Sequence, residues 1–243
     1  MGRELIMKFD DIYDYPVNSI GWRKLKPIIE SKIRDRKEYD RYVLCLDSLI
    51  TKENPLISEL FTKKYINKEE IKLFDTEKTF MMDKDIHLIE RYKADYDQRY
   101  IQLIVGCVIY DEYNNFIILE PNTRAKRCTL VKGHVDFNKN CYHLNELDFL
   151  FENMKREMEE ELIIPKELKI NPKLEGMIYY GTKPKCMERM GIIYSQKIPF
   201  KLIKKIKTGE PEKHRVILTN KSSLLSGKYF LDDWLNYIFR NQR

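Results

Sequence analysis

A stripe of apolar residues late in the chain restricts the fold more than any other feature. Leu147, Leu150, Phe151, Met154, Met158 and Leu162 recur at spacings of three, one, three, four and four, the pattern of a helix that buries one side. Asn145 suits an N-cap, Asp148 stands three residues later near the positive helix start, and Pro165 lies just past the other end. The spacing predicts a helix over residues 146 to 163.

Extended segments surround this helix. Residues 101 to 110 (IQLIVGCVIY) form a β-prone apolar run, 111 to 115 a polar turn, and 116 to 120 a second run. Together they read as a hairpin. After a basic link, Arg124, Lys126 and Arg127, comes a third short extended piece at residues 129 to 131, then Lys132, Gly133, His134, Val135 and Asp136. Strands are expected at residues 176–180, 191–198 and 216–219, and a closing helix at 231–240 with Trp234 and Tyr237 as core residues rather than a stacking platform.

The first 98 residues read as mainly helical or mixed. From 21 to 50, Leu25, Ile28, Ile29, Ile33, Tyr39, Val43, Leu46 and Ile50 recur at helical spacing among charged residues. Pro27 fits a first turn and forbids a long helix starting much before it. The charge run from Lys32 to Arg41 reads as a solvated face, and short apolar segments follow at 56–65 and 71–74. No chemistry is legible there.

Composition sets outer limits. Of 243 residues, 43% are hydrophobic and 34% charged, with mean hydropathy −0.54, and no run approaches the ~18 apolar residues of a membrane span. Glu4, Asp10, Asp11 and Asp14 crowd the start, where an export signal would be apolar; a cytoplasmic chain without a membrane partner is expected. The five cysteines, Cys45, Cys107, Cys128, Cys141 and Cys186, include no C-x-x-C pair, so reduced thiols are the default. Cys128, His134, Cys141 and His143 are spaced C-x5-H-x6-C-x-H, which matches no common zinc pattern. The net charge of +6 (44 Lys and Arg, 38 Asp and Glu) with pI ≈ 8.8 falls short of the pI of about 9 that marks a basic nucleic-acid-binding domain. Sixteen tyrosines are spread along the chain with no RNA-binding motif.

Chemistry concentrates in Arg156-Glu157-Met158-Glu159-Glu160-Glu161-Leu162. Glu157, Glu160 and Glu161 stand at i, i+3 and i+4, so their carboxylates share one flank while Met158 and Leu162 face the core. Like charges at i,i+4 cost ~0.2–0.5 kcal/mol, and the negative helix end adds to the cost. One reading is a solvated acidic face. The other is a site for Mg²⁺ or Mn²⁺, whose hard-oxygen preference these carboxylates meet.

The order of elements around the run resembles the Nudix box, G-x5-E-x7-R-E-U-x-E-E-x-G-U, with U a bulky apolar residue. Gly133 matches the leading glycine, Arg156 and Glu157 the R-E pair, Met158 the first U, Glu160 and Glu161 the E-E pair, and Ile164 the last U; Asp148 stands where the early glutamate belongs. Fourteen residues separate Gly133 from Asp148 where the pattern has five, so residues 137 to 145 read as a nine-residue insertion. Ile163 replaces the late glycine. Leu130 to Asp136 is similar to the K-G-H-V-E stretch of several dinucleoside-polyphosphate and diphosphoinositol Nudix enzymes. Tyr100 to Ile104 and Asp232-Asp233-Trp234 resemble a group of bacterial Nudix phosphoesterases.

The resemblance implies an α/β fold, a Nudix-type α/β/α sandwich with a mixed sheet over residues 99–243, preceded by the mainly helical or mixed extension of residues 1–98. It implies hydrolysis of a nucleoside diphosphate linked to another moiety. Glu157, Glu160 and Glu161 would be metal ligands for Mg²⁺ or Mn²⁺, Glu157 would also help activate water, and Arg156 would fix the glutamates by charge-assisted contacts. An alternative general base is a later glutamate, Glu188, Glu210 or Glu212. Arg124, Lys126, Arg127 and Lys132, with Gly133, flank the site as candidate phosphate binders. The expected partner is a small nucleotide or dinucleotide; RNA through cap removal, a second copy of the chain, and a non-catalytic ligand sensor on the same fold are the alternatives.

Overall fold

A computed structural model describes residues 42–47, 59–60, 62–63, 65–67, 86–94, 100–123, 127–136, 146–180 and 189–241. In chain order the elements are β1 (Tyr42–Asp47), β2 (Tyr65–Asn67), β3 (Ile86–Glu90), α1 (Arg91–Ala94), β4 (Tyr100–Tyr110), β5 (Asn115–Pro121), β6 (Val131–His134) and α2 (Glu146–Glu161). They continue with β7 (Leu162–Ile163), β8 (Lys173–Tyr180), β9 (Arg189–Lys197), α3 (Phe200–Ile203), β10 (Lys207–Thr208), β11 (His214–Asn220), α4 (Lys221–Leu225) and α5 (Asp233–Asn241).

Nine of these strands form one sheet with the main order β11-β5-β4-β9-β8-β2; β1 and β6 also pair with β4, and β3 pairs with β1. The sheet is mixed, because β4 and β9 run parallel from Gln102↔Arg189 to Tyr110↔Lys197 while the other strand pairs are antiparallel. β4 is central and buried on both faces, which explains why Gln102 is the one polar side chain between Ile101 and Ile109. Leu103, Val105, Cys107 and Ile109 pack into the core shared with α2, and Ile104 and Val108 into the core shared with α5. Helix, sheet and helix thus make the three layers of an α/β/α sandwich.

The apolar stripe does what its period requires. Leu150, Met154 and Met158 on α2 are each at most 1% exposed, and each such burial contributes ~1.5–3 kcal/mol. α2 ends at Glu161, two residues before the expected end. There the chain turns extended and Leu162–Ile163 pairs with Lys207–Thr208, while the Gly209 amide donates to the Glu161 carbonyl at 2.8 Å. This strand pair forms at Ile163, where the resemblance places a glycine, and leaves Ile163 58% exposed. At the other layer, the Asp232 carboxylate caps α5 by accepting from the Leu235 amide at 2.9 Å, so the closing helix begins at Asp233 rather than 231.

Two expectations need correction, and the sheet takes in strands on both sides of residue 98. Residues 42–47, read as part of a helix over 21–50, form β1 and pair with both β3 and β4; the rest of that helix lies outside the described residues. The third extended piece is centred on Val131–His134, with Cys128 and Thr129 making only isolated bridges. The sheet also does not stop at residue 98, because β1 pairs with β4 and β2 with β8. No helix among the described residues is long and apolar enough to cross a membrane.

Candidate active site

A cleft of about 320 Å³ opens where α2 passes β6, lined by both carboxylates and cationic residues. Glu157, Glu160 and Glu161 reach it from α2, and Gly133 reaches it from β6. The glycine is a steric requirement: a Cβ built at Gly133 would overlap the Glu157 carboxyl group. Glu157 is thereby seated against the strand backbone, buried at 8% exposure. Glu160 stays largely in solvent, with its side chain 50% exposed. Glu161 accepts from the Lys132 backbone amide at 3.0 Å.

Arg156 joins these parts. Its Nη2 lies 2.6 Å from Glu157 Oε1, and its Nη1 donates to both Glu160 carboxylate oxygens at 3.0 Å. Nη2 also donates to the His134 carbonyl at 3.1 Å and to Asn153 Oδ1 at 3.3 Å, with Asp136 Oδ2 at 3.5 Å. One guanidinium therefore links two α2 carboxylates to the β6 backbone, a use that needs the planar fork of arginine.

The carboxylates remain under-compensated. Burial pushes Glu157 up to about 7, with Arg156 opposing the rise and Glu160 and Asp136 adding to it. Burial and then the charge of Glu157 push Glu161 up to about 8, against the hydrogen bond from the Lys132 amide. Both shifts mean that the folded chain resists gathering these negative charges without a further cation.

Arg91 and Arg189 also line the cleft. His134 Nε2 lies 2.7 Å from Gln102 Oε1, and burial, then Arg91 and Arg189, hold the imidazole well below its usual range and therefore neutral. Neither arginine stood out in the sequence. Arg189 opens an apolar strand, a weak signal, whereas Arg91 is placed only by the non-local pairing of β3, β1 and β4.

Of the other sequence candidates, Glu210 lines the cleft, paired with Lys213 at 2.5 Å. Glu212 is exposed outside the cleft lining. Lys132 lines the cleft, but its ammonium pairs with Asp232 and lies 4.9 Å from the Trp234 ring, so its backbone serves the carboxylates and its side chain is held toward α5. Arg127 is likewise drawn to α5, at 2.7 Å from Asp233 and stacked 4.8 Å from the Phe230 ring. Trp234 is a core residue as expected, 5% exposed; Tyr237, half-buried, packs against that core and donates to the Lys63 carbonyl at 3.1 Å. Arg124, Lys126, Glu188, Cys141 and His143 lie outside the described residues, as does the side chain of Asp148.

Among the described residues, no group of three His, Cys, Asp or Glu side chains is gathered around a common point as a metal would gather them. Glu160 is instead turned onto Arg156. The donor chemistry nevertheless fits a hard divalent cation: three carboxylates on one helix flank, two of them held short of positive charge.

No protein-family model matches the sequence, and no curated protein matches it. Among solved structures, the chain is similar to Tm1382, a protein assigned to the Nudix hydrolases, at 17% identity over 82% of this chain and 96% of that one, with a TM-score of 0.56. It also aligns with the MutT protein of Methanosarcina mazei Go1 (17% identity, 58% and 91% of the two chains, TM-score 0.43). A third match is the Nudix domain of Shewanella oneidensis NrtR, solved with ADP ribose (12% identity, 63% and 96%, TM-score 0.42). The first likeness establishes the fold, which is the Nudix fold.

Proposed function

We propose that the protein is a divalent-metal-dependent Nudix hydrolase that cleaves the pyrophosphate bond of a nucleoside diphosphate linked to another moiety. The observation that carries this reading is the Arg156 fork holding Glu157 and Glu160 in a cleft that Arg91 and Arg189 also line. Such a cleft suits a diphosphate, because carboxylates able to hold a cation and guanidinium groups able to pair with phosphate line the same space, and the buried Glu157 carboxylate is a candidate general base there. Glu157, Glu160 and Glu161 would hold Mg²⁺ or Mn²⁺, which when bound neutralises the diphosphate and acidifies water. Arg156 keeps the carboxylates on the cleft side of α2. Glu210 is the second candidate for accepting the proton of the attacking water, because of the two later glutamates among the described residues, Glu210 and Glu212, it is the one that lines the cleft.

The test is product release from ADP-ribose, NADH, dinucleoside polyphosphates, nucleoside triphosphates and capped RNA, with Mg²⁺ and with EDTA. Turnover of a nucleotide with Mg²⁺, lost in the E160Q/E161Q variant while the fold persists, supports the reading. Tight binding without turnover across the panel would replace it with a ligand sensor.

A further inference from the structure

Two arginines that line the cleft, Arg91 and Arg189, come from parts of the chain that the Nudix box does not include. Arg189 lies opposite Gln102 in the β4–β9 ladder. Its neighbour Met190 packs into the α2-side core, so by strand alternation Arg189 projects on the α5 side of the sheet. Arg91 directly follows β3, which reaches the sheet only through β1. β1 sits in line with β6 along β4, and Val43 bridges Asp136. The segment before residue 98 is thus brought to the cleft by backbone pairing.

Both guanidinium groups line the cleft around His134, which Gln102 engages at Nε2. A neutral imidazole offers Arg91 no counter-charge. Among the described residues Arg91 makes no hydrogen bond and no ion pair, although three glutamates of α2 line the same cleft. Two guanidinium groups that line one partly enclosed cleft and both bear on His134 repel, and an anion offsets that cost.

We propose that Arg91 and Arg189 form an anion subsite for a substrate phosphate other than the one at the α2 carboxylates. The proposal rests on the hydrolase reading and deepens it: the preferred ligand carries a chain of phosphates long enough to span from the carboxylates to the arginines. Residues before 98 then take part in substrate recognition directly, through Arg91.

Binding of inorganic tripolyphosphate to the full-length protein, followed by calorimetry in metal-free buffer with EDTA, tests it. R91Q and R189Q should each weaken binding by about tenfold or more, the loss expected for one charge-assisted contact, with the unfolding temperature of R91Q unchanged. Wild-type affinity in R91Q, or no tripolyphosphate binding by the wild type, would overturn the subsite. Arginine-dependent binding in a protein that hydrolyses no nucleotide would leave the subsite standing and remove the hydrolase reading.

Discussion

Gly133 and Glu157 occupy nearly the same space: the strand residue has no side chain, and the helix carboxylate lies where that side chain would be. The contact is a steric fit, so G133A must push the carboxyl out of its seat or separate α2 from β6. Displacements of about 1 Å at a reacting group can cost on the order of 10²-fold in rate. G133A should therefore lower kcat by roughly that factor, measured on whichever nucleotide turns over, with far-UV circular dichroism retained.

Arg156 makes contacts that lysine cannot copy. It reaches Glu157, both oxygens of Glu160 and the His134 carbonyl at once, and a point charge on a flexible stem cannot hold that geometry. R156K should keep the net charge yet lose at least about tenfold in kcat/KM. A rate equal to wild type would show that charge alone suffices.

The raised Glu157 and Glu161 carboxyls fix the sign of a pH effect. Each binds its proton more tightly in the folded chain than in the unfolded one, where the ordinary value is 4.5. Their contribution is intact below about pH 4.5 and is lost as pH rises through about 7 and about 8. In EDTA, the unfolding temperature of the wild type should fall between pH 5 and pH 9 more steeply than that of E157Q/E161Q. Mg²⁺ should raise the wild-type value most at the alkaline end. Equal slopes in the two proteins would show that these groups carry no such linkage.

The parts legible in the sequence are those set by local period and composition. The stripe from Leu147 to Leu162 gave α2, the run from 101 to 110 gave β4, and i, i+3, i+4 spacing put three carboxylates on one flank. β1 was misread because Val43 and Leu46 fit a helical repeat as well as Val43 and Cys45 fit a strand. Only the ladder with β4 decides: Val43 and Cys45 pack together in one cluster and Leu46 in another, the alternation of a strand. Arg91 was invisible for the same reason, since its place depends on that ladder. Lys132 and Arg127 read as phosphate binders because nothing near them in sequence shows that Asp232 and Asp233, about 100 residues later, take their charges.

Continuity of the sheet across residue 98 has a consequence for stability. Val43, Cys45, Leu46 and Leu60 are each at most 1% exposed, and losing their burial removes several kcal/mol at ~1.5–3 kcal/mol for a large apolar side chain. That is a large share of the ~5–15 kcal/mol stability of an ordinary domain. A chain beginning at residue 99 should unfold at a markedly lower temperature and bind a hydrophobic dye; an unchanged midpoint would show that the N-terminal strands are dispensable.

The central claim is that water attacks phosphorus under the control of the α2 carboxylates. Hydrolysis of a nucleotide in ¹⁸O-enriched water with Mg²⁺, followed by mass spectrometry of the products, reads this directly. The account predicts one ¹⁸O in a phosphate of one product, dependent on Mg²⁺ and lost in E157Q. Label outside phosphate, or labelling at the wild-type rate in E157Q and in E160Q/E161Q, would contradict it.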